Sequence, residues 1–418
     1  MLAMFAASGC RLGVLALVLA ACLPGCNASS SPAASGRPIE GSRVVLNPLA
    51  QHYEDDVVYT SQRSANDATV YRQKGDSLRP LQTLSSGIAV PGGTVATPSG
   101  WWFLTNSGDS DVLIYRTTKR GPKGPVGKLR DGAGIPVNVD VTPDRNLVAV
   151  ANTRPRFGAK SGSVALYSPG ASTPTNVLKG TKDPVSLAFD ATGNIYVADF
   201  NGGVNIYEPG QSQPIRIIRG GRYGYYIVQP RLVAVDPSGN LYVANGPEAV
   251  GSQDNVFALF VYPPGKSEPS TVYEIGLPRA LLVAHGRLYI ACGAVKSAKI
   301  PGSVEVFRFG SNVPLIITQG LHTPDGLAVD SSGNLYVANL NGGNVTVYHA
   351  GRTSPFRTIS NGIHSPRALA IGSEGNLYVS NLYANTVTVY KPGQSDPFLI
   401  IKQSINDPVA LTLNAAPP

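Results

Sequence analysis

Charged residues are scarce in this sequence, and neither sign of charge forms a run. Asp, Glu, Lys and Arg make up 14% of the 418 residues, and the formal net charge is +8. Proteins that bind nucleic acids usually concentrate Lys and Arg in one tract or on one face. Here the positive charges are scattered among Tyr, Thr and Val. A solvated basic surface accounts for them, and we expect no nucleic-acid partner.

Helical periodicity, paired cysteines and familiar catalytic motifs are also missing. After residue 30 almost no stretch has the apolar spacing of a helix. Cys292 stands alone, far from the other three cysteines, so no disulfide framework is expected. The sequence contains no Gly-x-Ser-x-Gly, no His-Glu-x-x-His and no glycine-rich phosphate loop. We therefore expect no cofactor and no metal centre.

The N-terminus predicts a signal peptide over residues 1–21. Arg11 precedes an apolar run at 12–19 that is too short to span a bilayer. The run leads into Leu-Ala-Ala-Cys, which resembles the bacterial lipobox, where cleavage exposes a cysteine that becomes lipidated. Cys22 is the predicted lipidation site and Cys26 the alternative, with an ordinary secretory signal as the other interpretation. The prediction places the protein in the cell envelope, periplasmic or surface-exposed, and anchored to a membrane by lipid.

The next segment, residues 22–43, is rich in Ser, Ala, Pro and Gly and predicts a flexible tether. The remainder, residues 44–418, has a different character. The whole chain contains 46 glycines and 34 prolines, yet 43% of its residues are hydrophobic. That combination is typical of many short strands joined by turns.

A repeated unit organises residues 44–418. In one copy, residues 324–348, three apolar segments with β-forming residues are separated by Ser-Ser-Gly-Asn and by an Asn/Gly loop. A fourth strand follows. The proline that opens each unit is found at Pro91, Pro136, Pro184, Pro230, Pro278, Pro324, Pro366 and Pro408. Successive prolines are 42 to 48 residues apart, which is the length of one four-stranded propeller blade.

The two ends of the array predict how the ring closes. Residues 57–84 supply strands two to four of a unit, whereas residues 408–413 supply an isolated first strand. A C-terminal strand that completes the N-terminal blade would remove the open sheet edges. The sequence therefore predicts an all-β propeller of eight four-stranded blades, and a monomer. Seven blades is the alternative, with residues 44–84 packing as an extra flap.

The unit Pro-x-x-Leu-Ala-Val-Asp-x-x-Gly-Asn-Leu-Tyr-Val-Ala-Asn resembles the NHL repeat, and more loosely the gluconolactonase-type and streptogramin-lyase propellers. The resemblance covers nearly all of residues 57–413. It implies a β-propeller and does not identify a chemistry, because such propellers include enzymes, receptors and scaffolds. The chain departs from the NHL pattern after the loop Asn, where the usual His-Arg is replaced by residues such as Gly343 and Asn344.

The residue after the opening proline gives the first group of candidate ligand-binding residues. In four units this residue is charged: Arg231, Arg279, Asp325 and Arg367. It starts the innermost strand, so its side chain is expected near the mouth of the central channel. Three guanidiniums there would attract a carboxylate or phosphate. The alternative is that each Arg pairs with a nearby Asp or carbonyl group.

His322 and His364 are the second group of candidates, because they occupy equivalent positions in adjacent units. They could form a metal pair or an acid–base pair, but duplication of a link residue explains them more simply. A recurring Asn or Asp ends most second strands, and we interpret it as a cap for its own turn. Cys292 replaces that residue in one unit and is interpreted as a buried thiol.

The sequence favours a binding or interaction module over an enzyme. Three loops after second strands, at 153–162, 246–255 and 293–302, are longer than the rest, and two of them are basic. Loop insertions on one face of a repeat protein commonly form its binding surface. The expected partner is a protein, a glycan or an anionic small ligand. The alternatives are a hydrolase or lyase acting at the channel mouth and a purely structural envelope protein.

Overall fold

A computed structural model describes residues 43–46 and most of 56–415. Within the second range it leaves out 63, 75–76, 97–99, 119–120, 130–133, 143–146, 154–160, 169–170, 201, 220–226, 228, 247–256, 295–301, 310, 312, 373 and 403–404. The regular structure of the described residues is entirely β-strand. A membrane-spanning helix is not found among them.

The strands fall into eight sheets. In chain order they are β1 (Arg43–Leu46), then β2 (Asp56–Gln62), β3 (Asp67–Lys74) and β4 (Ser77–Leu84) of blade 1; β5 (Pro91–Ala96), β6 (Trp101–Asn106), β7 (Asp111–Thr118) and β8 (Gly121–Leu129) of blade 2; β9 (Ile135–Val141), β10 (Val148–Thr153), β11 (Ser163–Tyr167) and β12 (Asn176–Leu178) of blade 3; and β13 (Pro184–Phe189), β14 (Ile195–Asp199), β15 (Gly203–Tyr207) and β16 (Arg216–Ile218) of blade 4. The second half contains β17 (Pro230–Val235), β18 (Leu241–Asn245), β19 (Phe257–Tyr262) and β20 (Thr271–Ile275) of blade 5; β21 (Leu277–Ala284), β22 (Arg287–Gly293), β23 (Ser303–Arg308) and β24 (Leu315–Ile317) of blade 6; β25 (Pro324–Val329), β26 (Leu335–Asn339), β27 (Asn344–Tyr348) and β28 (Arg357–Ile359) of blade 7; β29 (Pro366–Ile371), β30 (Leu377–Asn381), β31 (Thr386–Tyr390) and β32 (Leu399–Ile401) of blade 8; and the last strand, β33 (Pro408–Ala415).

Each blade contains four antiparallel strands, blade 6 has one further strand, and the ring closes through blade 1. The order of strands in that blade is β33-β2-β3-β4. β33 pairs with β2 in an antiparallel register that sets Val58 opposite Leu413. The predicted eight-bladed propeller, with a C-terminal strand completing the N-terminal blade, is confirmed. The seven-bladed alternative is wrong, because residues 56–84 form three strands of a full blade.

The hydrophobic core is divided among the interfaces between neighbouring blades. Eight apolar clusters are present, one at each interface of the ring. The cluster between blade 8 and blade 1 joins Tyr378 and Val387 to Val58 and Tyr71. Burying one large aliphatic or aromatic side chain contributes roughly 1.5–3 kcal/mol. No blade can bury both of its faces alone, so stability depends on the closed ring.

The recurring Asp, Asn and Tyr of the unit hold the turn between its first two strands. Asp330 Oδ1 accepts hydrogen bonds from the backbone N–H groups of Ser332 at 3.0 Å and Asn334 at 2.9 Å. Its Oδ2 accepts from Asn334 Nδ2 at 2.9 Å and from the Tyr336 hydroxyl at 3.2 Å. Gly333 supplies the positive φ of 80° that the turn requires. This part of the motif therefore has a structural role.

Strand β1 does not belong to blade 1. It pairs in parallel with β21, the first strand of blade 6, with Arg43 opposite Ala280 and Leu46 opposite Val283. The other edge of β21 pairs with β22, so β1 covers the edge that faces the central channel. Arg43, which the sequence assigned to the tether, is the first residue of this strand. Blade 6 is thus a five-stranded sheet whose extra strand lies along the channel.

Several predicted features lie outside the described residues. They are the signal peptide at 1–21, the lipidation candidates Cys22 and Cys26, and the tether up to residue 42. Of the three long loops, residues 154–160, 247–255 and 295–301 also lie outside. These features stay predictions.

Candidate functional site

One face of the propeller carries both the loops after second strands and the links into first strands. We call it the loop face, and in blades 7 and 8 it includes residues 340–343, 360–365 and 382–385. Backbone hydrogen bonds tie each loop to the link of the same blade: Leu340 N–H donates to Thr323 O at 3.0 Å, and Leu382 N–H donates to Ser365 O at 3.1 Å. Because β1 runs parallel to β21, it enters the channel at the loop face and leaves at the opposite face.

The recurring Asn or Asp at the end of a second strand holds the link of its own blade. Asn339 Oδ1 accepts from the backbone N–H of His322 at 3.0 Å, and Asn381 Oδ1 accepts from that of His364 at 3.1 Å. Asn339 Nδ2 donates to Thr346 Oγ1 at 3.1 Å. The side chains at this position are buried. They act within the blade, although on the link and not on the turn that the sequence suggested.

The charged residues after the opening prolines form an ion cluster across blades 6, 7 and 8. Arg279 Nη1 lies 3.1 Å from Asp325 Oδ1, and Arg367 Nε lies 3.9 Å from Asp325 Oδ2. The Asp325 side chain is 9% exposed, whereas those of Arg279 and Arg367 are 26% and 18% exposed. Two guanidiniums thus share one carboxylate beside the channel. The sequence offered two interpretations of the arginines, an open anion site or pairing with a nearby Asp. For Arg279 and Arg367, the contacts are those of pairing with a nearby Asp.

Arg231 lies in a different environment, in blade 5. Its guanidinium carbon lies 5.5 Å from the centre of the Phe200 ring and 5.7 Å from that of the Phe257 ring. These are cation–π distances. Burial lowers the pKa of Arg231, and its Nε atom has no hydrogen-bond partner among the described residues. The structure therefore joins Arg279 and Arg367 through Asp325 but places Arg231 against aromatic rings.

The two histidines flank one loop. Their backbone N–H groups are held by Asn339 and Asn381 as described above. His322 lies against the backbone of the loop at Gly342, where a Cβ would approach His322 Cβ to 3.0 Å. His364 lines an open pocket on the other side of the loop. No contact between the imidazoles is observed, and the described residues contain no group of three or more His, Cys, Asp or Glu that could hold a metal ion.

The pocket beside His364 lies between blades 7 and 8. Its volume is about 520 Å³. Its lining residues are Leu340, Asn341, Gly342, Gly343, His364, Ser365, Tyr383 and Ala384. Tyr383 is 78% exposed, more than any other aromatic side chain among the described residues. Sequence reasoning did not identify Tyr383, although it replaces the Asn found at the equivalent position of blade 7.

In blade 6, a buried polar cluster takes the place of the Asn or Asp that ends the second strand in most other blades. Cys292 pairs in register with Ser303, and both lie in the same blade as Glu305. Burial raises the pKa of Glu305 to about 7, although a hydrogen bond from Ser303 opposes the shift. Burial raises the pKa of the Cys292 thiol, and the charge of Glu305 raises it further. The Cys292 thiol is buried, as predicted. The burial of the Glu305 carboxyl was not predicted.

Comparisons with known proteins support the fold and nothing finer. No family model matches the chain, and no curated protein matches it. Among solved structures it is similar to hydrazine synthase of Kuenenia stuttgartiensis, with a TM-score of 0.52 and 16% identity over 72% of this chain and 95% of the other. The computationally designed Ika8 protein gives 0.58 and 11% identity over 84% and 99%.

The dihydro-heme d1 dehydrogenase NirN is also similar, with a TM-score of 0.64 and 13% identity over 89% of this chain and 76% of the other. All three identities are far below the level at which activity is shared. They show a β-propeller, and folds of this kind carry many unrelated functions.

Proposed function

We propose that this protein is an extracytoplasmic, lipid-anchored β-propeller that binds an anionic partner through its loop face. The Leu-Ala-Ala-Cys sequence supports the location, and the lack of the catalytic motifs named above supports the non-catalytic role. Acidic proteins, acidic glycans and small anionic metabolites share the chemistry that this face would recognise, which is a carboxylate, sulfate or phosphate group.

The observation that carries the proposal is the sharing of Asp325 by Arg279 and Arg367. One carboxylate leaves the cluster with one net positive charge. Within the cluster, Arg279 Nε has no hydrogen-bond partner among the described residues. All three side chains are partly shielded from solvent, which strengthens their interaction with an incoming anion. A fork-shaped guanidinium also suits the planar geometry of a carboxylate or the oxygens of a phosphate.

The test uses the full chain and two anionic probes, citrate and polygalacturonate, in binding titrations at low and high salt. Arg279→Gln combined with Arg367→Gln is expected to weaken binding at least about tenfold. The matched control is Arg308→Gln with Arg352→Gln, which removes two exposed charges, one at the end of the third strand β23 and one in the turn after the third strand β27, on the opposite face. This control is expected to change the affinity less than about threefold, because screened surface charges contribute little.

Asp325→Asn is expected to change the affinity in the opposite direction. It removes the negative charge that competes with the ligand, so the affinity for citrate is expected to rise. Equal loss of binding in the double mutant and its control would show that net charge, and not this cluster, attracts the anion. Failure of the unmodified protein to bind either probe at low salt would overturn the proposal.

A further inference from the structure

The pocket between blades 7 and 8 is a second candidate site on the loop face, separate from the arginine cluster. None of its lining side chains is Asp, Glu, Lys or Arg. Its polar groups are an amide, an imidazole and two hydroxyls, from Asn341, His364, Ser365 and Tyr383. Its volume of about 520 Å³ lies within the range of about 300–1,000 Å³ that is usual for small-molecule sites.

Comparison of blades 7 and 8 shows which of these groups the fold requires. Pro324 pairs with Asn339, and Pro366 pairs with Asn381, so Thr323 is equivalent to Ser365 and Asn341 to Tyr383. In blade 7, Asn341 Nδ2 donates to Thr323 Oγ1 at 3.0 Å. This bond ties the loop to the link through two side chains.

Blade 8 has lost that bond. Tyr383 replaces the amide, and its side chain is 78% exposed. The Ser365 hydroxyl, the Tyr383 hydroxyl and the His364 imidazole have no hydrogen-bond partner among the described residues. The backbone bond from Leu382 N–H to Ser365 O is kept, at 3.1 Å. The blade is therefore built without these three side-chain groups, and all three line the pocket.

Gly343 keeps the opposite side of the pocket open. A Cβ at this residue would have Ile363 O as its nearest heavy atom, 4.0 Å away. The φ of Gly343 is 62°, and the equivalent residue of blade 8, Asn385, has a φ of 53°. An Asn can therefore adopt the backbone conformation of Gly343, since Asn tolerates positive φ better than most residues. Its side chain would fill space that the glycine leaves empty.

We propose that this pocket binds a neutral saccharide, with one sugar ring stacked on Tyr383. An exposed aromatic ring offers a flat apolar surface for the C–H face of a pyranose, and it has few rotatable bonds to order on binding. The hydroxyls of a sugar both donate and accept hydrogen bonds, which matches the mixed donors and acceptors of Asn341, His364 and Ser365. The absence of formal charge in the lining favours a neutral sugar over an anion.

The test is saturation-transfer NMR followed by titration calorimetry on the full chain. The probes are glucose, galactose, mannose, N-acetylglucosamine and the disaccharides cellobiose and chitobiose. At least one probe is expected to bind. Tyr383→Asn reproduces the blade 7 residue and is expected to weaken binding about tenfold or more, whereas Tyr383→Phe keeps the ring and is expected to stay within about threefold.

Gly343→Asn, which reproduces the blade 8 residue at an equivalent φ, is expected to fill the pocket and weaken binding by a similar factor. Phe356→Ala removes another exposed aromatic ring, on the outer side of blade 7, and is expected to leave binding unchanged. Unfolding midpoints of all variants establish that they fold. Binding of no probe, or binding that Tyr383→Asn and Gly343→Asn leave intact, would overturn the proposal. Citrate binding through Arg279 and Arg367 is measured in parallel, so either site can fail without the other.

Discussion

The backbone N–H of Asn406 donates a hydrogen bond to Oε1 of Gln62, 344 residues earlier in the chain. Gln62 is fully buried at the end of β2, in the position that Asn339 holds in blade 7. The longer side chain performs in the composite blade the task that Asn performs elsewhere. The link that it holds leads into β33, so this bond is part of the closure between the two ends of the propeller.

Ring closure predicts a strong dependence on the last strand. Deletion of residues 408–418 removes β33, exposes the edge of β2 and opens the apolar cluster between blades 8 and 1. We expect loss of the cooperative unfolding transition in thermal denaturation followed by circular dichroism, together with aggregation through the open edge. Deletion of residues 416–418 alone is the control and is expected to behave as the intact chain. An unchanged transition in the longer deletion would contradict the closed ring.

The hydrogen bonds by which Asn339 holds the link of blade 7 predict a loss of stability when its amide is removed. Asn339→Ala leaves the N–H of His322 without its acceptor and Thr346 without its donor. A buried polar group left unpaired costs about 1–3 kcal/mol, and we expect the free energy of unfolding to fall by that amount in urea titrations. Asn361→Ala is the matched control, because that amide bonds Asp396 at an exposed site. A change in the free energy of unfolding within about 0.5 kcal/mol is expected there. An equal effect in the two variants would refute the stabilising role of the Asn339 hydrogen bonds.

The buried carboxyl of Glu305 predicts a pH dependence of stability. Its pKa is raised from 4.5 to about 7 in the folded protein, so the folded state holds a proton that the unfolded state has released. The stabilising contribution is complete below pH 4.5, declines as the pH rises to 7, and is absent above. A shift of this size corresponds to roughly 3 kcal/mol.

Glu305→Gln isolates that contribution. Urea unfolding at pH 5 and pH 8 is expected to show a larger loss of stability with rising pH in the unmodified protein than in the variant. Asp67 and Asp140, whose pKa values burial raises to about 6, are present in both proteins, so their effects cancel in the comparison. The same pH slope in the variant would mean that Glu305 is solvated.

The lipobox-like sequence predicts attachment at Cys22. In a bacterial host grown with labelled palmitate, Cys22→Ser is expected to lose the label and to leave the membrane fraction, because stable anchoring depends on the lipid. Cys26→Ser is the matched control and is expected to keep both properties. The reverse pattern would move the site to Cys26. Absence of label from both variants and from the unmodified protein would indicate an ordinary secretory signal.

Much of the fold could be predicted from the sequence because the spacing of the recurring residues gives the length of one blade. Prolines spaced 42 to 48 residues apart located the first strand of each blade, and the isolated final unit predicted the composite blade. The candidate sites were less accessible. Sequence position placed Arg231, Arg279 and Arg367 in one group, yet only the latter two share Asp325. Their separation depends on side-chain direction and on which aromatic residues the neighbouring blades bring close.

The amino-acid sequence by itself determined the strand period, the turn chemistry and the closure of the ring, since these depend on local propensity and on apolar faces that only a neighbouring copy can cover. The tertiary structure alone decided which equivalent positions differ in environment. It placed β1 along the channel edge of blade 6, buried Glu305 beside Cys292, and left Tyr383 exposed over a pocket. Such differences arise from contacts between blades. The residues that depart from the repeat are far apart in the chain, and the sequence alone does not show which of them come into contact.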